Sequence, residues 1–308
     1  MKPEAKNGRP RVAATIGVFD GVHLGHRALM DKVVERAKRL GVKSACITFS
    51  PHPEDVLRPQ AEIAHLAPLE DRLELIRRSG MSEVLVIEFT PSLSRMSPED
   101  FIDLLLSHFR LVELWIGSDF ALGRDRAGGP ERLAFIGTKR GFGVHQFPPV
   151  SIEGMVVSST LIRLMLAEGR VEEAAKLLGR SYRLRGRVVA GDGRGRLLGF
   201  PTANLSLEER LCLPGNGVYA VRCGLAAAQH TGVVNIGLRP TFDSGRRLVE
   251  VHLLDFQGDL YGQELAVDFV ARLRDEVRFE SVDALVAQIR NDVTRSRQIL
   301  SGRADDHL

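Results

Sequence analysis

Residues 12–26 read VAATIGVFDGVHLGH. The run at 12–18 is apolar and β-branched, as in a strand buried on both faces. Gly17 and Gly21 punctuate it, and from Leu24 to about residue 40 a helical period takes over. A strand running through a glycine turn into a helix opens a parallel sheet, whose ligands sit beyond the carboxyl ends of its strands. The stretch therefore sets both the expected fold and the place to look for a site.

Working outward, apolar runs at 42–49, 83–89, 111–117 and 142–147 read as further buried strands. Helical segments at 69–78, 98–108 and 130–140 lie between them, so the repeat predicts an α/β, Rossmann-like domain with helices on both faces. Two short helical segments occupy 159–178, the first opened by Ser158-Ser159-Thr160, good N-cap residues. Beyond 179 the period changes. Runs at 182–190, 218–223, 231–236, 248–256 and 265–273 alternate or are β-branched and are parted by Gly, Pro, Asp and Asn, which predicts an antiparallel β-barrel or meander. A closing helix over 281–300 carries an apolar stripe of Val282, Leu285, Val286, Ile289 and Val293. A chain of 308 residues exceeds what one core usually holds, and the expected domains are 1–182 and 183–308.

Composition removes several classes of function. Hydrophobic content of 44% with 26% charged residues is that of a globular protein, and no apolar stretch approaches a membrane span. The first twenty residues lack a signal-peptide apolar region. Cys46, Cys212 and Cys223 show neither even number nor CxxC spacing, against a disulfide framework or a zinc site. The expectation is a cytoplasmic protein. Basic and acidic residues number 25 and 23 up to Tyr182, then 17 and 16, together the chain's 42 and 39. Neither half is a basic module, and three Tyr and one Trp offer little base stacking. The expected partners are small molecules, with no nucleic acid and no membrane, for a monomer or weak homo-oligomer.

Within GVFDGVHLGH, Gly17 and Gly21 let the backbone come close to a ligand, and Phe19, Asp20 and Gly25 are, with Gly17, candidate cofactor-binding residues. His23 and His26 lie three apart, so at a helix start both imidazoles face one way. Unpaired N–H groups and the helix dipole favour anions there, which suits charge developing on nucleotide phosphates. Half a metal site and a simple histidine cap are the alternatives. Three further segments fall at strand ends or a helix start. His52 is held between Pro51 and Pro53; Asp119 follows the fourth strand and suits ribose, flavin, metal or an Asx-turn. Ser159, Thr160 and Arg163 combine an N-terminal anion site with a cation one turn in, or form an ordinary N-cap.

The second constellation is GDGRGRLLGFPTANL at 191–205. Gly191, Gly193 and Gly195 imitate a dinucleotide fingerprint, but no helix is expected after them, and Pro201 leads into another extended run. Gly199 completes a glycine-rich loop that can cradle phosphates, or a plain hairpin loop. Thr202 and Asn204 offer hard oxygen ligands suited to Mg²⁺. Strand alternation puts Val249, Val251 and Leu253 on one face and Glu250, His252 and Leu254 on the other. If the barrel interior holds the substrate, Glu250 is a candidate general base; a solvated strand carboxylate is the alternative.

HxGH is shared across the nucleotidyltransferase superfamily, which the first segment resembles. The order of segments is more specific. GVFDGVHLGH, TFSPHP, IGSDFALG, SSTLIR, LLGRSY, GDGRGRLLGFPTANL, GVYAV, NIGLRPTF, VEVHLLDF, LYG and LRDEVRF run from about Thr15 to Asp292. In these the chain resembles the prokaryotic bifunctional riboflavin kinase/FAD synthetases. The resemblance implies that the C-terminal module phosphorylates riboflavin to FMN with ATP and Mg²⁺. It implies that the N-terminal module transfers AMP from ATP to FMN, giving FAD and pyrophosphate. It places His23, His26 and His52 on the adenylylation signatures, Asp119 on the flavin- and nucleotide-side loop, and Ser159, Thr160 and Arg163 on the phosphate motif. Thr202 and Asn204 fall on the metal and phosphate site and Glu250 on the catalytic base. One departure is Phe120-Ala121-Leu122-Gly123, where many members carry an aromatic-basic-aromatic-glycine string; it bears on how FMN is gripped. A kinase alone, a cytidylyltransferase and a flavin-binding sensor are the competing readings.

Overall fold

The computed structural model describes residues 8–118, 120–123, 128–191, 193–208, 210–226, 228–238 and 247–302. The chain divides into two compact units, 1–158 and 159–308.

In the first unit β1 (Arg11–Ile16), α1 (Leu24–Leu40) and β2 (Lys43–Ser50) form the expected opening. There follow α2 (Pro53–Leu57), α3 (Leu69–Arg78), β3 (Glu83–Glu88), α4 (Pro91–Ser94) and α5 (Pro98–His108). Then come β4 (Arg110–Gly117), α6 (Pro130–Arg140), β5 (Gly143–Phe147) and a small hairpin, β6 (Ser151–Ile152) and β7 (Met155–Val156). The sheet runs β3-β2-β1-β4-β5, every pair parallel. Alternation within β1 explains the layers. Val12, Ala14 and Ile16 pack with Ile102 and Leu105 of α5 and Leu133 and Ile136 of α6. Ala13 packs on the other face with Met30 and Val33 of α1 and Ile76 of α3. Strand order reverses between β1 and β4, and a crevice opens at such a switch point beyond the strand ends.

The second unit begins with α7 (Ser159–Ala167) and α8 (Val171–Leu178), then β8 (Tyr182–Val189), α9 (Arg194–Leu197) and β9 (Ala203–Leu207). It continues through β10 (Gly217–Leu225), β11 (Ala228–Leu238), β12 (Arg247–Leu253) and β13 (Glu264–Arg274) to α10 (Val282–Gly302). Six strands close a barrel in the order β10-β11-β12-β9-β8-β13. Its interior is packed solid: Tyr219, Val221, Val234, Ile236, Val251, Val267 and Phe269 are all buried. On the outer face α10 seats Leu300 on Val218, Ala220, Val233 and Leu273.

Three departures have physical causes. The division falls after Ser158 rather than Tyr182, because α7 and α8 dock on the barrel. Gly215 N–H donates to Leu166 O at 2.8 Å, Arg272 Nη1 to Glu168 O at 3.1 Å, and Arg272 N–H to Glu172 Oε1 at 3.2 Å. In α10 the buried residues are Asp292, Ser296 and Leu300, while Val282 is exposed. Arg274 clamps the Asp292 carboxylate at 3.1 and 3.0 Å, and Ser296 Oγ reaches Gly232 O, so polar anchors set the helix rotation. A helix does follow the glycine loop, but α9 is four residues long, one turn, and a dinucleotide fold needs far more.

Candidate active sites

The turn after β1 is built under strain. Phe19 and Val22 have φ of 55° and 39°, and Gly21 73°. A β-branched residue at positive φ costs on the order of 1–3 kcal/mol, so its surroundings must hold it. Both side chains are buried, and Val22 N–H closes on Phe19 O at 3.1 Å. A Cβ on Gly21 would meet Leu66 Cδ1 at 2.7 Å, and one on Gly17 would touch the Phe19 ring at 3.0 Å. The two glycines are where the turn admits its own neighbours.

Beneath the turn lie two charges. Asp20 is buried, and its carboxylate accepts from Leu66 N–H at 3.0 and 3.1 Å and from Ala67 N–H at 3.4 Å. Arg72, on α3 and equally buried, donates from Nη1 to Val18 O at 3.0 Å and from Nη2 to Phe49 O at 2.7 Å. Burial lowers the Arg72 pKa and the Asp20 charge opposes that shift. Val18 O also takes the Thr48 hydroxyl at 3.0 Å. One guanidinium thus ties the ends of β1 and β2 together.

His23 is the N-cap of α1, its Nδ1 accepting from His26 N–H at 3.3 Å. The two imidazoles stack, with centroids 3.5 Å apart and planes at 17°, and Phe19 meets His26 edge-on. Gly25 permits this: a Cβ there would press on the His23 ring at 3.2 Å. Val157 O lies 3.8 Å from that same point, so the strand leading to Ser158 reaches the turn. His52 caps α2 in the same manner, Nδ1 accepting from Glu54 N–H at 3.1 Å. A ring nitrogen that accepts carries no proton, so a neutral His23 or His52 holds its proton on Nε2. Both are thereby presented as N–H donors, the form that meets a phosphate oxygen.

Asp20, His52 and His65 each offer a ligand atom within 4.8 Å of the others. Their bonds argue against a cation there. The His52 proton sits on Nε2, the Asp20 oxygens take backbone N–H groups, and His65 Nε2 is engaged with Asp55 Oδ2 at 3.0 Å. Asp119 lies outside the described residues. Ser159, Thr160 and Arg163 occupy the first half of α7, in the second unit.

On the barrel, the glycine loop packs against the strand it precedes. A Cβ on Gly191 would lie 2.0 Å from Asn204 Nδ2; one on Gly195 would meet Phe200 O at 2.4 Å and Thr202 Oγ1 at 3.2 Å. Gly193 and Gly199 have φ of 68° and 84°, which L-residues avoid. Glu250 pairs directly with Asn204 on one side and Asn235 on the other. Directly paired residues share a face, so a carboxylate stands between two amides. That face is opposite the buried Val249 and Val251. The interior is filled with apolar side chains, and Glu250 lies on the outer face of the barrel. Pro201 O accepts from His252 Nδ1 at 2.8 Å.

Sequence reasoning missed Arg72, His65, Asn235 and the bond made by His252. Asn235 alone had a signal, a lone amide in the β-branched run at 231–236.

Family models for FAD synthetase and riboflavin kinase match residues 5–161 and 178–300. The chain is 40% identical to the bifunctional riboflavin kinase/FMN adenylyltransferase of Pseudomonas fluorescens, covering 99% of this chain and 96% of that one. It is 36% identical to the protein of the same name from Listeria monocytogenes, over 94% and 93% of the two chains. A crystal structure described as a macrolide-efflux protein from Streptococcus pneumoniae is similar at a TM-score of 0.85 and 32% identity, covering 94% and 95%. Efflux is said of that protein; among the described residues here no helix is long and apolar enough to cross a membrane. Both matched halves stand in one chain in the order of its relatives, and the chain belongs to the bifunctional riboflavin kinase/FMN adenylyltransferase family.

Proposed function

We propose that the chain makes FMN and then FAD in two ATP-dependent steps, using the residues described above. In the kinase step the primary alcohol of riboflavin attacks the γ-phosphorus of ATP and ADP leaves. Glu250 orients that alcohol and takes its proton as the O–P bond forms. Thr202 and Asn204 would hold Mg²⁺: a hydroxyl and an amide oxygen across from a carboxylate are hard donors that fit it. When bound, the ion offsets charge on the phosphates. The glycine loop, with Gly191, Gly193, Gly195 and Gly199, supplies backbone N–H groups around them, and Pro201 fixes the backbone that leads into Thr202.

In the adenylylation step an FMN phosphate oxygen attacks the α-phosphorus of ATP and pyrophosphate leaves. That oxygen is already anionic, so no base is required. His23, His26 and His52 donate hydrogen bonds to the phosphates, with the α1 N-terminus adding its dipole. Ser159, Thr160, Arg163 and Asp119 complete this reading as phosphate- and flavin-side contacts. The adenylylation module is 1–182, which includes Ser159, Thr160 and Arg163, and the kinase module 183–308, in a cytoplasmic chain that is a monomer or weak homo-oligomer.

The observation that carries the residue assignment is the register pairing Glu250 with Asn204, which sets the candidate base beside the candidate metal ligand. The test is flavin chromatography after incubating the chain with ATP, Mg²⁺ and riboflavin, and separately with FMN. FMN and FAD from the first mixture and FAD from the second are expected. FMN alone would leave a kinase, and no turnover would favour a flavin-binding sensor.

A further inference from the structure

The ladder between β9 and β12 is two residue pairs long, Glu250 with Asn204 and Val251 with Ala203. Carried on, it would bring Leu253 opposite Pro201, and a proline has no N–H to give. The ladder therefore ends just where the loop bearing Thr202 begins. At that point the side chain of His252 takes over. Its Nδ1 lies 2.8 Å from Pro201 O, and its ring meets Phe200 edge-on at 5.7 Å. A carbonyl only accepts, so the proton is on Nδ1 and the bond has one sense.

We propose that His252 is a positioning residue for riboflavin phosphorylation. It clamps the Phe200–Pro201 segment to the strand that carries Glu250, and so fixes Thr202 and Asn204 relative to that carboxylate. Two features single out this bond. His252 shares the face of Glu250, two residues along the same strand, so clamp and carboxylate move as one rigid piece. The segment it holds follows the loop of Gly193 and Gly199, both at positive φ, whose backbone bonds, Arg196 N–H to Gly193 O and Phe200 N–H to Gly195 O among them, close within 193–200 rather than on β12. Without the clamp, the loop keeps its residues but loses their placement. A phosphate site displaced by about an ångström loses rate steeply.

The inference rests on the reading that this loop holds the ATP phosphates, and the test separates the two. In the full chain, His252→Ala, His252→Asn and His252→Gln are assayed for FMN formation at varied ATP, alongside Thr202→Ala. An asparagine amide N–H can take the place of Nδ1–H, whereas a glutamine amide falls nearer Nε2. The expected result is a KM for ATP at least fivefold higher in the Ala and Gln variants, largely restored in Asn. FAD formation from FMN should stay at the parent rate in all three, which also reports a folded chain. Trypsin cleavage after the exposed Arg196 should quicken in Ala and Gln but not in Asn. A parent KM in His252→Ala, or equal rescue by Asn and Gln, overturns the clamp. Parent FMN formation in Thr202→Ala overturns instead the reading of the loop.

Discussion

Replacing Arg72 by methionine tests whether the adenylylation turn is held from below. The side chain is buried and gives hydrogen bonds to two carbonyls, Val18 O and Phe49 O. Bonds from a charged donor are worth about 1.5–3 kcal/mol each. Methionine fills much of the volume but gives neither bond. Thr48 still serves Val18 O, whereas Phe49 O loses its guanidinium, and the Asp20 carboxylate loses a neighbouring cation. Relief of the buried guanidinium's desolvation works the other way. Taking the low end for each bond leaves a destabilisation of about 3 kcal/mol. With a urea slope of roughly 2 kcal/mol per molar for such a domain, the midpoint should fall by about 1.5 M. Trp115 is the chain's one tryptophan and lies on β4, so its fluorescence follows the first unit alone. FAD formation should drop with the midpoint while FMN formation persists. Arg72→Lys, which keeps the charge without the two-pronged reach, should fall between. A midpoint within about 0.3 M of the parent, with FAD formation intact, would refute the reasoning.

Glu250→Gln should lower kcat for FMN formation at least about tenfold with riboflavin binding unchanged in a fluorescence titration, since the base goes and the shape stays. His26→Ala should cost adenylylation about 10²–10³ in rate, read as FAD formed from supplied FMN, and leave riboflavin phosphorylation alone. A fragment of residues 159–308 should unfold at a higher temperature than one of 183–308, because only the longer keeps the bonds from Leu166 and Glu168 to the barrel. The Glu113 carboxyl is held below its usual 4.5 by hydrogen bonds from Arg36 and Trp115. A depressed folded pKa contributes stability that is complete above about pH 4.5 and lost as pH falls through the folded value. Glu113→Gln should therefore flatten the acid limb of the first unit's stability, followed by Trp115 fluorescence.

What could be read in advance was whatever repeats at short range. β1, its glycine turn and α1 were legible because apolar run, glycines and helical period succeed one another within thirty residues. The barrel strands were legible from alternation. The domain division was not: 159–178 is helical on either side of the boundary, and it is the bonds from Gly215 and Arg272 to Leu166, Glu168 and Glu172 that assign it. Arg72 reads as one of several charges on a surface helix, LEDRLELIRR, until packing buries it. The stripe expected for α10 is half-buried at Leu285, Val286, Ile289 and Val293. The most buried places on the helix go to Leu300, Ser296 and an Asp292 paired with Arg274, which apolar periodicity does not signal. Glu250 was singled out with the barrel interior as the condition, and the structure puts its face on the outside. Alternation gives two faces, and nothing local says which one closes into the barrel.

On the proposed assignment the two sites differ in architecture because their nucleophiles differ. An FMN phosphate arrives as an anion, so its site needs donors and no acceptor of protons. On that assignment the first unit offers this beyond the strand ends of its parallel sheet, in a helix N-terminus and two capping histidines whose accepting Nδ1 leaves the proton on Nε2. Riboflavin arrives as a neutral alcohol, whose attack must shed a proton beside the highly charged phosphates of ATP. That calls for a carboxylate and a cation ligand at fixed separation, which a ladder register sets more rigidly than a helix terminus could. The pairing of Glu250 with Asn204 is such a register, and Pro201, beyond the end of the ladder, leaves its own carbonyl for the His252 side chain to hold. On this argument, slipping β9 by one residue with an insertion before Ala203 should abolish FMN formation outright. Asn204 would turn away from Glu250 to the packed interior. FAD formation from FMN should survive. An insertion variant that still phosphorylates riboflavin at the parent rate would show that this register does not set the site.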